Sequence, residues 1–149
     1  MVMMLIWYLK VRDFIRSLVS VLLLKSRVDM FVGAIANMLK VDDWAANGFE
    51  WDENGWLVKG LPTRVLSHDK GLMVGKLARI NGFDASEIIS VGDSSSDLSM
   101  MIEGSQFVGF NPRRARAKVA FEEARVPIIA EKDLRLIWPF IFPGENLSG

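Results

Sequence analysis

The chain has 149 residues, half of them apolar and 24% charged, with Lys+Arg and Asp+Glu balanced at 18 each. That length suits one domain with a proper core and hardly two, and the neutral balance excludes a global charge drawing the chain to nucleic acid or an anionic membrane. There is no cysteine, which excludes disulfides, thiolate metal sites and cysteine nucleophiles and fits a reducing, cytoplasmic setting.

The opening "MVMMLIWYL" is too short to span a bilayer, which needs about 20 apolar residues. It also lacks the basic flank and small-residue cleavage site of a signal peptide. It reads as a buried strand or helix. "VRDFIRSL" has Val11, Phe14, Ile15 and Leu18 on one side, as a short amphipathic helix does, and "VSVLLL" has the unbroken apolar character of a strand covered on both faces. Helical spacing returns in "VDMFVGAIANMLK". "NGFEWDENGWLVKG" follows, two β-like pieces around Asn54-Gly55, and predicts a β-hairpin with Trp51 and Trp56 flanking its turn.

Beyond the loop "LPTRVLSHD", "KGLMVGKLARI" is helical and stops at Asn81-Gly82. "EIISVG" predicts a buried strand, "SDLSMMIEG" a helix ended by Gly104, and "QFVGF" a further strand. "RRARAKVAFEEA" predicts a helix, "VPIIA" an edge strand, and "KDLRLIWPF" a last helix halted by Pro139. There is no internal repeat and no low-complexity linker. Strands alternating with helices at this spacing predict an α/β fold, a Rossmann-like parallel sheet flanked by helices. Ligands of such sheets sit beyond the carboxyl ends of the strands.

"GDSSSD" stands at one such end. Asp93 follows the strand through Gly92, and Asp97 lies four residues on, in the first turn of the next helix. Two carboxylates held close repel unless a cation lies between them, and magnesium commonly takes one or two carboxylates with water and phosphate. The serines offer hydroxyls and N–H groups at a helix N-terminus, where phosphate is welcome. The same residues also make an ordinary N-cap, with Asp97 favouring the helix dipole. Lys70 opens the preceding helix, where a positive charge opposes the dipole. An anionic pocket would explain it, and so would simple exposure to solvent.

Lys70 and "GDSSSD" (Gly92 to Asp97), in that order and at that separation, resemble the haloacid-dehalogenase (HAD) superfamily of phosphohydrolases, in its phosphoserine-phosphatase-like branch. In that family a lysine opens one helix, and some twenty residues later a strand ends in "GDxxxD". The hairpin-like "ANGFEWDENGWLVKG", then "DLSMM", "FVGFNP" and "KDLRLI", extend the likeness over roughly residues 11 to 142. The resemblance implies a Mg²⁺-dependent phosphomonoester hydrolase acting on a small phosphorylated substrate. It implies Asp93 as a metal ligand, Asp97 as a second ligand or as the residue that orients the ligands, and Lys70 as the cation facing phosphate and nucleophile. Ser96 matches a position often held by asparagine, where it would contact substrate or metal-bound water.

The family's nucleophile is the first aspartate of a "DxD" at the end of the first, central strand, and no "DxD" precedes Lys70 here. "MVMMLIWYLK" carries no carboxylate. The family's cap segment before the "VRDF"-like helix is missing as well. The Ser or Thr that binds phosphate at the end of the second strand is displaced. Lys25 stands at its place and Ser26 one residue late, the former able to attract phosphate as a point charge, the latter equally able to serve as a plain N-cap.

We therefore expect a single HAD-type domain over 1–149, with residues 1–10 replacing or partly replacing the first strand and a β-hairpin at 44–61. The expected function is phosphatase chemistry or a weakened remnant in an N-terminally shortened or rearranged family member. A non-catalytic phosphate- or partner-binding module is the alternative. About ten residues would link "MLIWYL" to "VLLL", marginal for a crossover, and a segment swapped from a second copy, making a homodimer, is the other way to fill the sheet. His68 reads as a loop histidine. The basic run "RRARAK" lacks aromatic interleaving and precedes Glu122 and Glu123, so it reads as a solvated helix face rather than a nucleic-acid surface.

Overall fold

A computed structural model describes residues 2–5, 19–66 and 68–144. Its centre is a six-stranded sheet in the order β3-β2-β1-β6-β7-β8, formed by β1 (Val2–Leu5), β2 (Val19–Val28), β3 (Asp43–Asn47), β6 (Ile88–Gly92), β7 (Gln106–Phe110) and β8 (Ile128–Ile129). Every pairing in it is parallel. β4 (Phe49–Trp51) and β5 (Leu57–Gly60) form a separate antiparallel hairpin. The helices are α1 (Asp29–Leu39), α2 (Gly71–Asn81), α3 (Ala115–Glu123) and α4 (Trp138–Ile141). The mixed α/β architecture foreseen above is thus present.

β1 lies between β2 and β6, with Leu5 level with Leu22 on one side and Ser90 on the other. The chain leaves β1 toward β2 and β3, then returns to the opposite flank for β6. That reversal opens a crevice at the carboxyl edge between β1 and β6, where ligands of such sheets bind. The "VRDFIRSL" helix falls outside the described residues.

β6 is buried along its whole length, and its pleat sorts side chains onto two cores. Ile88 packs with Phe107, Leu77, Val74 and Phe121 on one face, while Ile89 and Val91 pack with Val108, Phe110, Ile137 and Ile141 on the other. Burying each such side chain contributes about 1.5–3 kcal/mol. The strand tip is therefore a rigid platform.

Three expectations need correction, and the hairpin turn is built differently in detail. Trp44–Asn47 were placed in the hairpin region but belong to β3, an edge strand of the main sheet. Five residues containing two alanines carry too weak a pattern to read as a strand without the neighbouring β2. In the hairpin only Gly55 has positive φ, and the turn is organised by Asp52, whose Oδ1 accepts from the N–H groups of Asn54 (2.9 Å) and Trp56 (2.8 Å). Trp51 packs near Phe49, with ring centroids 6.4 Å apart, and Trp56 is exposed.

The segment after Asp93 is a 3₁₀-helix, Ser95–Met100, and not a helix reaching Gly104. Pro139 does not halt the last helix. It lies in the first turn of α4, where its missing N–H costs nothing.

Candidate active site

β6 ends at Gly92 and delivers Asp93 to the carboxyl edge of the sheet. Gly92 is required by contact. A Cβ there would lie 2.3 Å from Cβ of Asp97 and 2.8 Å from its Cγ. The missing side chain lets the Asp97 carboxyl fold back onto the strand tip.

Asp97 is 1% exposed, and both of its carboxylate oxygens are engaged. Oδ2 accepts from the backbone N–H groups of Asp93 (3.2 Å) and Ser94 (3.0 Å) and from Oγ of Ser94 (2.7 Å). Oδ1 pairs with Nζ of Lys70. The bond from Ser94 N–H to the third residue of the helix is that of a capping box. The capping and ligand-pocket readings of "GDSSSD" thus meet in one side chain: Asp97 caps the turn and is the counter-ion of a lysine from another element.

Lys70 is the N-cap of α2 and is 4% exposed. A buried ammonium survives only when paired and hydrogen-bonded, and Asp97 supplies the pair. Its backbone is held too. The carbonyl accepts from Met73 and Val74 (both 3.0 Å), and the N–H donates to Oγ of Ser99 at 3.1 Å. The loop reaching Lys70 is fastened at Asn47, the last residue of β3. Its Oδ1 accepts from the N–H groups of Arg64 (2.9 Å) and Val65 (2.8 Å), and its Nδ2 donates to the Val65 carbonyl (3.0 Å).

Ser96 is half-buried, and its Oγ is 3.0 Å from Oγ of Ser94. The single Ser94 hydroxyl proton is directed to Asp97, whose carboxylate can only accept. Ser96 is therefore the donor in the serine pair, and its outward capacity is that of an acceptor. That favours contact with water or a cation over donation to phosphate.

Lys25 and Ser26 lie within β2, which continues to Val28 before α1 begins, so they are strand residues and not a strand-to-helix turn. Their stretch coincides with an irregularity in the β2–β3 register between Leu24 and Val28. Leu22 and Ser90 are level across β1, and from there β2 and β6 both run on toward the carboxyl edge, to Val28 and Gly92. His68 is exposed in the loop before Lys70.

The hydrogen bonds bring together Lys70, Asp93, Ser96 and Asp97. Reading the sequence offered Ser94 as a cap, which it is, and missed Ser99. The glycines after Lys70 and before Asp93 were the available signal, since each marks a place where a second backbone or side chain comes close.

A divalent cation finds limited protein support. Among the described residues no group of three His, Cys, Asp or Glu is placed to hold one, and Asp97 already accepts from Lys70, Asp93 and Ser94. Asp93 is the carboxylate at the strand tip. One carboxylate suits Mg²⁺, which keeps several waters and leans on substrate phosphate, and does not suit a closed all-protein cage. Of the two roles the resemblance implies for Asp97, its bonds to Asp93, Ser94 and Lys70 serve the orienting one, and Oδ1, with Lys70 as its one partner here, keeps a lone pair for the other.

The fold is similar to that of solved phosphatases. A crystal structure of phosphoserine phosphatase in apo form matches with a TM-score of 0.68 and 26% identity, over 83% of this chain and 59% of that one. A phospho-aspartyl intermediate analogue of phosphoserine phosphatase matches at 0.65 and 26%, over 83% and 56%. A HAD family hydrolase from Salmonella enterica serovar Typhi matches at 0.66 and 19%, over 86% and 42%. No protein-family model and no curated protein matches the chain.

The fold is that of the haloacid-dehalogenase superfamily. Within that class it is the phosphoserine-phosphatase-like form. The chain spans less than two thirds of the length of these phosphatases.

Proposed function

We propose that this chain handles small phosphomonoesters with Mg²⁺ in the manner of a phosphoserine phosphatase, as a weakened remnant of that activity. The observation that carries the reading is the buried Lys70–Asp97 pair beside Asp93, at the tip of β6 and next to the topological crevice. A lysine is buried against a strand tip at real desolvation cost, and a phosphate-handling site gives that cost a purpose.

Asp93 is the residue that would hold Mg²⁺, which when bound neutralises phosphoryl oxygens. Lys70 presents a fixed positive charge to the phosphate. Asp97 sets the position of that charge and of the Asp93–Ser94 backbone in a single stroke. Ser96 offers an acceptor toward bound water, and Lys25 and Ser26, near the carboxyl end of β2, would complete the phosphate side. A cytoplasmic location belongs to the same proposal, on the absence of cysteine. No described helix is long and apolar enough to cross a membrane.

The remnant character follows from β1. In a phospho-aspartyl mechanism the carboxylate attacks phosphorus and the alkoxide departs, so an aspartate must stand at the end of that strand. Residues 6 to 10 read Ile-Trp-Tyr-Leu-Lys. Losing a nucleophile costs roughly 10⁴ to 10⁶ in rate in a well-studied hydrolase, so turnover is expected to be feeble.

The deciding assay measures hydrolysis of p-nitrophenyl phosphate and phosphoserine with and without Mg²⁺, alongside phosphate binding. Slow, Mg²⁺-dependent turnover abolished by Asp93→Asn supports the reading. Phosphate and Mg²⁺ binding without turnover moves the chain to the non-catalytic module. Neither binding nor turnover defeats both.

A further inference from the structure

We propose that the Ser99 hydroxyl is a positioning group for Lys70, locking the backbone that launches the ammonium to the same 3₁₀ turn that carries Asp97. The proposal rests on the reading of Lys70 as the phosphate-facing cation. Ser99 lies outside the "GDSSSD" stretch, two residues beyond Asp97.

Its Oγ accepts from the Lys70 N–H at 3.1 Å and donates to the Ser96 carbonyl at 2.8 Å. A hydroxyl has one proton to give, so these bonds fix its orientation: proton to Ser96, lone pair to Lys70. Lys70 and Ser96 come from different elements, and this one oxygen ties them together. As an N-cap, Lys70 has an N–H that the helix ladder of α2 does not use. Without Ser99 that N–H loses its partner in a buried residue.

The two elements also meet closely at this point. A Cβ on Gly71 would lie 2.8 Å from the Ser99 carbonyl oxygen and 3.2 Å from Cγ2 of Ile102. The start of α2 therefore rests directly on the backbone of Ser99. A long, flexible side chain such as lysine reaches a fixed point reliably only if its origin is fixed. Here that origin is held by Ser99 on one side, and by Met73 and Val74 on the other through the Lys70 carbonyl.

Ser105 supplies a matched control. Its hydroxyl also accepts from a backbone N–H, that of Ile102 (2.9 Å), and donates to a carbonyl, again of Ile102 (2.8 Å), without touching Lys70. The test compares full-length wild type, Ser99→Ala, Ser99→Thr and Ser105→Ala. Three readouts are hydrogen exchange at the Lys70 amide, the ¹⁵Nζ resonance of Lys70 in its pair with Asp97, and affinity for inorganic phosphate.

Ser99→Ala is expected to speed Lys70 amide exchange by about tenfold, broaden or remove the ¹⁵Nζ resonance, and weaken phosphate binding by about fivefold. Ser99→Thr, which keeps the hydroxyl, restores all three, and Ser105→Ala lowers the melting temperature without moving any of them. Should Ser99→Ala fail to fold, Ser99→Cys keeps a side chain of the same shape, slightly larger, weakens both bonds, and carries the same expectations at reduced size. Unchanged Lys70 exchange in Ser99→Ala, or equal losses in Ser99→Ala and Ser105→Ala, overturns the proposal. If wild type binds no phosphate, the functional reading falls. The amide and ¹⁵Nζ signals then decide the positioning role by themselves.

Discussion

Two ion pairs stand in different regions of this molecule, and they do different work. Lys70 and Asp97 are 4% and 1% exposed, at the strand tip where two core faces converge. Arg135 and Asp133 are 77% and 36% exposed, on the 3₁₀-helix Leu134–Ile137 ahead of α4. The exposed pair has more contacts: the Arg135 guanidinium meets both carboxylate oxygens, at 2.6 to 3.0 Å, and the Arg135 N–H adds a fourth bond at 3.0 Å. Geometry alone would rank it first. Burial reverses the ranking, because an exposed pair exchanges protein contacts for water nearly evenly, while a buried charge has no alternative partner.

The largest effect is therefore expected from breaking the inner pair. Lys70→Met leaves Asp97 as a buried charge without its cation, and Asp97→Leu leaves the ammonium alone. Each is expected to cost about 3–5 kcal/mol in urea unfolding. The double variant Lys70→Met/Asp97→Leu should cost less than the sum of the two, and less than Asp97→Leu alone, since it leaves no buried charge unpaired. Single variants near wild-type stability would show that water reaches the pair and that the contrast with Arg135 is illusory.

Gly92→Ala sharpens the same comparison without touching a charge. The added methyl would meet Cβ of Asp97 at 2.3 Å, so either the strand tip or the carboxylate must move. Overpacking of this kind costs about 1–3 kcal/mol. The loss should fall on the Lys70–Asp97 region, seen as faster amide exchange at Asp93 and Ser94. Asn47→Ala comes next, at about 1–2 kcal/mol. It removes three bonds to Arg64 and Val65, and so loosens the loop that delivers Lys70, with the sheet otherwise intact. Limited proteolysis at residues 61–66 would detect it before a change in melting temperature does.

How much of this could be read from the chain depends on what each feature leaves in the sequence. The strand over Ile88–Gly92 and the helix over Gly71–Asn81 are legible because long apolar runs and helical spacing are properties of one segment. Lys70, Asp93 and Asp97 were legible as a set because their order and separation match a known phosphatase pattern. That Asp97 would be consumed by three donors and an ammonium was not legible, since it depends on the fold-back that Gly92 permits. Nor was β3, whose Ala45 and Ala46 become strand residues only beside β2. The last helix was misjudged because Pro139 was weighed as a breaker, and its position in the first turn of α4 is set by the Asp133 cap and the 3₁₀-helix before it.

The smallest effect is expected at the outer pair. The Arg135 guanidinium holds the Asp133 carboxyl below its ordinary value of 3.8, and Asp133 in turn raises Arg135. A carboxylate with a depressed value in the folded state stabilises above its unfolded value and loses that contribution as the pH falls through the lower, folded one. Any difference between wild type and Arg135→Ala should therefore be present at neutral pH and vanish in strong acid. A pair that water reaches on both partners predicts that the neutral-pH difference is itself barely measurable by thermal unfolding. Added salt should erase what remains, while leaving the cost of Lys70→Met almost unchanged, because screening acts on charges that water can reach.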